Sequence, residues 1–294
     1  MKKTTERATL RVVIATGVAS IVTQLLTIRE FLTQFQGNEI VIALNLFNWL
    51  ILGGIGTLLA RITVSAPRRA SAGILGWLSM VLGLLAVVQI LAIRLLRGIV
   101  FSPGTSVKFY PTLLFSFLTI APYCLLLGFV RPYSLFVLRS DAADYPGARI
   151  YIFDNIGDIG GGALFSFALV FWTSPLTALF LGHLPLLASI YLLFPPSRRN
   201  RPAVLLALVF LTAIFSSSIG FEKRSLAPVE GRLVHYRETR YGRIAVHQNR
   251  ELFTLFEDGV PVFSSQNLSR AEETVHYPLS QLENPRQVLL IAAE

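Results

Sequence analysis

Seven stretches of this chain are apolar over lengths that suit a bilayer better than a globular core. They run approximately over 10–32, 38–60, 71–96, 111–138, 150–172, 175–194 and 202–220. A helix crosses the hydrocarbon core with about 20 apolar residues. Each stretch therefore predicts a membrane-crossing helix. The breaks carry ordinary turn chemistry: Gln36-Gly37-Asn38, Ala66-Pro67-Arg68-Arg69, Ser102-Pro103-Gly104, Tyr145-Pro146-Gly147, Ser174-Pro175 and Pro195-Pro196. The first stretch is too long for a cleaved signal peptide and has no clear small-residue cleavage site.

Charge separates the chain into two regions. Charged residues make up 15% of the sequence, against roughly 25% in soluble domains. The deficit lies before Gly220, and normal charge density returns after Phe221. Two regions in two solvents are expected: a polytopic membrane domain over 1–220 and a water-soluble region beyond it. The net charge of +9 does not point to nucleic acid, because Lys and Arg sit in short segments between apolar runs. There they act as topology signals. One side would hold Lys2, Lys3, Arg7, Arg11, Arg61, Arg68, Arg69, Arg139, Arg149, Arg198, Arg199 and Arg201. The other would hold Arg94, Arg97 and Lys108. This bias places the N-terminus in the cytoplasm, and seven crossings then carry the soluble end to the opposite side. Cys124 stands alone, and the histidines (His183, His235, His247, His276) are scattered, so no disulfide or metal site is expected.

The periodicity changes after Gly220. Tyr241–Gln248 alternates, with Ile244 and Val246 on one face and Arg243, Ala245 and His247 on the other. This is a half-buried strand pattern. Glu251–Glu257 and Val260–Phe263 follow as strands across turns at Gln248-Asn249-Arg250 and Asp258-Gly259. Ser269-Arg270-Ala271-Glu272 is a capping box that predicts a helix start near Arg270, and Pro278 predicts its kink or end. The apolar run Val288-Leu289-Leu290-Ile291 reads as a buried parallel strand.

These soluble segments, in order, resemble the start of a spermidine synthase (polyamine aminopropyltransferase) domain. The residues that carry the resemblance are Tyr241-Gly-Arg-Ile-Ala-Val, Leu255-Phe-Glu-Asp-Gly-Val, Ala271-Glu-Glu-Thr-Val-His-Tyr-Pro-Leu and Asn284-Pro-Arg-Gln-Val-Leu-Leu-Ile. The membrane half resembles the membrane-bound bacterial branch of that family. There the residues are Arg29-Glu30, Gly37-Asn38-Glu39, Asn48-Trp49-Leu50 and the glycine-rich Tyr151-Ile-Phe-Asp-Asn-Ile-Gly-Asp-Ile-Gly-Gly-Gly. The resemblance implies a β domain over 221–286 and, at 287–294, the first strand of a Rossmann-like domain truncated before its catalytic half. It implies aminopropyl transfer from decarboxylated S-adenosylmethionine to a polyamine, a bacterial inner-membrane location, and inactivity of this chain alone. No cofactor site is expected within it. Of the family's substrate-site positions, Tyr241 is retained. Its glutamines fall here on Gly242, Val262 and Arg270-Ala271.

Ionisable groups inside a span are costly and raise a functional-site hypothesis. Asp154 and Asp158 share a helix face, with Asn155 beside them, and Arg29 or Arg131 could supply a counter-charge. They form either an ion- or substrate-binding site or a structural pair near the membrane face. Gly157 and Gly161, also four apart, would admit a close neighbouring helix. Arg29, Glu30, Asn38 and Glu39 bracket the first turn, where a structural role is expected. Gln24, Asn45 and Asn48 are expected to hydrogen-bond between helices. Three readings follow: a membrane-anchored spermidine synthase-like protein, a polyamine or small-solute transporter, or a scaffold for a separate catalytic chain. The expected partners are the lipid bilayer, that separate chain carrying the Rossmann-like half, and a second copy in a homo-oligomer.

Overall fold

A computed structural model describes residues 2–35, 38–64, 70–101, 107–139, 146–194, 200–226, 231–239, 241–266, 268–283 and 286–287. The chain divides into two compact units, Met1–Leu226 and Ala227–Glu294. The first is helical. Its helices are α1 Lys2–Gln34, α2 Glu39–Thr63, α3 Ala72–Val100 and α4 Phe109–Arg139. Helix α5 begins as Pro146–Leu164, widens into a π turn at Phe165–Leu169 and closes with Val170–Trp172. Helices α6 Pro175–Leu193 and α7 Arg201–Ser225 complete the unit. Seven of these helices are long and apolar enough to cross a membrane, so this is a multi-pass membrane protein.

Local chemistry sets the helix starts. Asn38 caps α2, its side chain accepting from the Val41 amide at 3.0 Å, and Ser71 caps α3 by accepting from Ile74 at 3.2 Å. Pro175 opens α6, where a missing N–H costs nothing. Helix α1 is the axis of the unit. It packs against α2, α3, α4, α5 and α6, so its polar residues face other helices rather than lipid. Its approach to α5 is close because Gly157 and Gly161 lie against it. A Cβ on Gly157 would sit 2.2 Å from the Ile14 carbonyl oxygen, and one on Gly161 would sit 2.7 Å from that of Val18. The expected close helix contact is therefore present, with Gly17 completing it from the α1 side.

The expected boundary at Gly220 falls inside α7, which continues through Phe221 to Ser225. Glu222 and Ser225, which read as the start of the soluble region, are buried. A carboxylate is tolerated there because a guanidinium from α3 meets it. Arg94, counted among the topology charges of one side, is buried within α3.

The second unit is an antiparallel sheet in the order β1-β2-β3-β4, made of β1 Arg232–Glu238, β2 Arg243–Asn249, β3 Leu252–Glu257 and β4 Val260–Ser264. Helix α8, Leu268–Ser280, follows. Three strands match the sequence pattern. Strand β1 does not show in it, because a bulge between Leu233 and His235 breaks the alternation. The tight turns hold Arg250 at φ 55° and Asp258 at φ 46°, followed by Gly259 at φ 76°. Helix α8 begins ahead of the expected Ser269 cap and contains Pro278 near its end. The expected strand at Val288-Ile291 lies outside the described residues, as does the rest of 288–294. Register places Ile244, Val246, Phe253, Leu255 and Phe263 on one face of the sheet. Phe253 and Phe263 are exposed there and the others only half-buried. The buried strand residue is instead Arg243, held by Glu238 at 2.5 Å.

Candidate functional site

Two charged clusters lie inside the helical unit, one against the middle of α1 and one at its last turns. The first joins α1, α4 and α5. Asp154 and Asp158 are one helical turn apart on α5, and both face Arg131 of α4. Arg131 Nε lies 3.1 Å from Asp154 Oδ2, and Nη2 lies 3.4 Å from Asp158 Oδ2. Ser20 of α1 donates to Asp158 Oδ1 at 3.3 Å. Asp154 Oδ1 has no hydrogen-bond partner, and a small cleft lined by Val12, Thr16, Leu75, Val130, Arg131 and Asp154 opens beside it. The counter-charge is thus Arg131. Asn155, the third candidate on α5, bonds its own helix through Tyr151 O at 2.7 Å and is half-buried.

The second cluster joins the last turns of α1, α3 and α7. Arg94 grips Glu30 through two bonds, Nε to Oε2 at 2.9 Å and Nη2 to Oε1 at 2.5 Å. Such a fork is both strong and directional. Its remaining donors reach Ser225 Oγ at 3.0 Å and Glu222 Oε1 at 3.2 Å. Glu222 also accepts from the Leu176 amide at 3.4 Å and from the Ser174 hydroxyl. Glu30 is therefore more than a hairpin residue. Arg29 lies beside it on α1 and is half-buried. Asn38 is the α2 cap described above, and Glu39 is exposed in the first turn of that helix. Asn48 fulfils its interhelical role by donating to Ser116 of α4 at 2.6 Å. Arg94, Glu222 and Ser174 do not stand out as site residues in the sequence. The usable signal was an arginine inside the third apolar run and a glutamate directly after the seventh.

In the sheet unit, Tyr241 is exposed and sits in the turn between β1 and β2. At Gly242 a Cβ would come within 2.4 Å of the Asp258 carboxylate, which accepts from the Arg243 amide at 2.8 Å. A larger residue there would displace that carboxylate. His247 stacks on Phe256 with ring centroids 4.7 Å apart, and burial holds its pKa below the ordinary 6.5.

The chain matches no protein-family description, no curated protein and no solved structure at a significant level.

Proposed function

We propose that this chain is a membrane-anchored protein of the spermidine synthase-like type. Its sheet unit supports aminopropyl transfer from decarboxylated S-adenosylmethionine to a polyamine, and a Rossmann-like half carries out the chemistry. The observation that carries this reading is the cluster of Ile244, Val246, Phe253, Leu255 and Phe263 on one sheet face, which Gln248 and Glu257 also share, with Phe253 and Phe263 exposed. A small sheet with an uncovered apolar cluster on one face is built to pack against another layer. The ordered segments from Tyr241 to Ile291 favour a Rossmann-like half as that layer. The test is release of methylthioadenosine, the leaving product of aminopropyl transfer. Membranes holding this chain together with a Rossmann-like half should release it when given decarboxylated S-adenosylmethionine and putrescine or spermidine. Release that is the same without this chain, or absent with every polyamine tried, overturns the proposal.

A transporter reading is favoured by one specific observation, the half-exposed Arg131 with Asp154 and Asp158 inside the helical unit. Polyamine flux into vesicles that is unchanged by replacing both aspartates with asparagine would remove it.

A further inference from the structure

Helix α1 carries a continuous polar face through the centre of the helical unit. Thr9, Thr16, Ser20, Thr23, Thr27, Glu30 and Thr33 follow at spacings that keep them on one side of the helix, and all are buried. Between Ser20 and Glu30, where the two charged clusters meet it, the helix rises roughly 15 Å. This face links the two charged clusters. At one end Ser20 bonds Asp158 and accepts from Arg131 at 3.3 Å. In the middle, Tyr123 of α4 lies beside Thr23, and Gln89 of α3 donates to Thr27 Oγ1 at 2.6 Å. At the other end stands Glu30, held by Arg94 and through it joined to Glu222.

Two details distinguish this face from ordinary helix packing. Threonine and serine hydroxyls inside membrane helices usually bond the preceding turn, as Thr23 does to Ala19 O at 2.7 Å and Thr27 to Thr23 O at 2.7 Å. Tyr123 and Gln89, however, reach the same row from other helices, Tyr123 beside Thr23 and Gln89 through its Nε2. Both residues are almost wholly buried, and neither the Tyr123 hydroxyl nor Gln89 Oε1 has a hydrogen-bond partner. An unsatisfied polar atom in a dry interior costs free energy, and two placed along one polar row are explained by an occupant that passes them. The second detail is charge. In the first cluster two carboxylates meet one guanidinium, with Ser20 the facing group from α1. The Glu6–Arg149 pair on the same two helices is already matched. The cluster is therefore balanced by taking up one positive charge.

We propose that this face of α1 is a buried proton path between the two clusters, with Asp154 and Asp158 as the carboxylates at one end and Glu30 and Glu222 at the other. This goes beyond aminopropyl transfer and does not depend on it. Every member of the row is a hydroxyl or a carboxyl, groups that can accept and release a proton. Between Ser20 and Glu30 adjacent groups of the row are three or four residues apart, about one helical turn or roughly 5 Å, a gap that one bridging water or a hydroxyl rotation spans. At each hop one oxygen gains a proton and releases another. Only O–H bonds are made and broken, and the membrane potential or proton gradient drives the transfer.

The test uses the purified full chain in liposomes containing a pH-sensitive dye, with a potassium-valinomycin potential driving proton uptake. Uptake well above that of protein-free liposomes is expected. Asp158→Asn, Glu222→Gln and Tyr123→Phe should each lower it by at least roughly tenfold, an effect of about 1.4 kcal/mol. Thr212→Val, whose hydroxyl bonds only its own helix through Leu208 O, should leave it unchanged. Tyr123→Phe removes one oxygen and keeps the packing, so it reports on the path even where a charge-removing variant unfolds. Uptake equal to protein-free liposomes overturns the proposal. Uptake indifferent to Tyr123→Phe, or sodium flux with the same dependence on these residues, also overturns it.

Discussion

Substituting Gly157 by alanine tests the packing that brings the first charged cluster together. The added Cβ would lie 2.2 Å from the Ile14 carbonyl oxygen and 3.0 Å from Gly17 Cα. Both are backbone atoms that cannot rotate away. Relief requires α1 and α5 to part by roughly 1 Å, at the upper end of the 1–3 kcal/mol that overpacking usually costs. Gly160, on the same helix, has nothing within 4 Å of its Cβ position. Gly160→Ala therefore carries the same gain in helix propensity, up to about 1 kcal/mol, without the clash. The difference between the two variants isolates the clash at about 3 kcal/mol, and for a unit of this size that is roughly 6–12 °C in apparent melting temperature. The assay is thermal unfolding of both variants in one detergent, followed by helicity. If Gly157→Ala melts with Gly160→Ala, the close approach of α1 and α5 is wrong.

Three further outcomes follow from the same geometry. Arg94→Leu leaves Glu30 and Glu222 buried without the guanidinium between them, and should cost about 3–5 kcal/mol; a denaturant midpoint equal to wild type would contradict the buried fork. Asn38→Ala removes the cap of α2 and should cost about 0.5–2 kcal/mol, read as faster amide exchange at Val41. Burial lowers the pKa of His247 below 6.5 in the folded sheet. The unfolded chain takes up a proton first as pH falls, so this contribution to stability is complete above pH 6.5 and is lost below it. Amide protection in β2 and β3 should therefore weaken on acidification through that value in wild type, and less so in His247→Gln.

The membrane unit was largely legible because an apolar run long enough to cross a bilayer has few alternative fates. The helix ends were less so. Glu222, Lys223 and Arg224 read as the onset of a soluble region, and only tertiary contact with Arg94 explains why α7 continues. The same contact hid Arg94, which looked like a topology charge. The α5 glycines and the Asp154–Asp158 pair were readable from spacing alone, since four residues return a helix to the same face. The polar row of α1 does not show in the sequence because its hydroxyls are diluted by the apolar residues between them. Its meaning appears only when Tyr123, Gln89 and Asp158 arrive from three other helices. Strand β1 was hidden by its bulge, and the sheet's apolar cluster was visible in Ile244 and Val246 before Phe253 and Phe263 joined it.

Aminopropyl transfer makes a demand on topology that the charge pattern opposes. Decarboxylated S-adenosylmethionine is expected in the cytoplasm, so the residues after α7 must face it. The Lys and Arg bias taken with seven crossings favours the other side, but long domains translocate largely regardless of charge. A reporter fused directly after Leu226 decides between them. Fluorescence from a cytoplasm-dependent fluorescent protein, with no activity from an export-dependent phosphatase at the same position, is the result that aminopropyl transfer predicts. Phosphatase activity without fluorescence would contradict it.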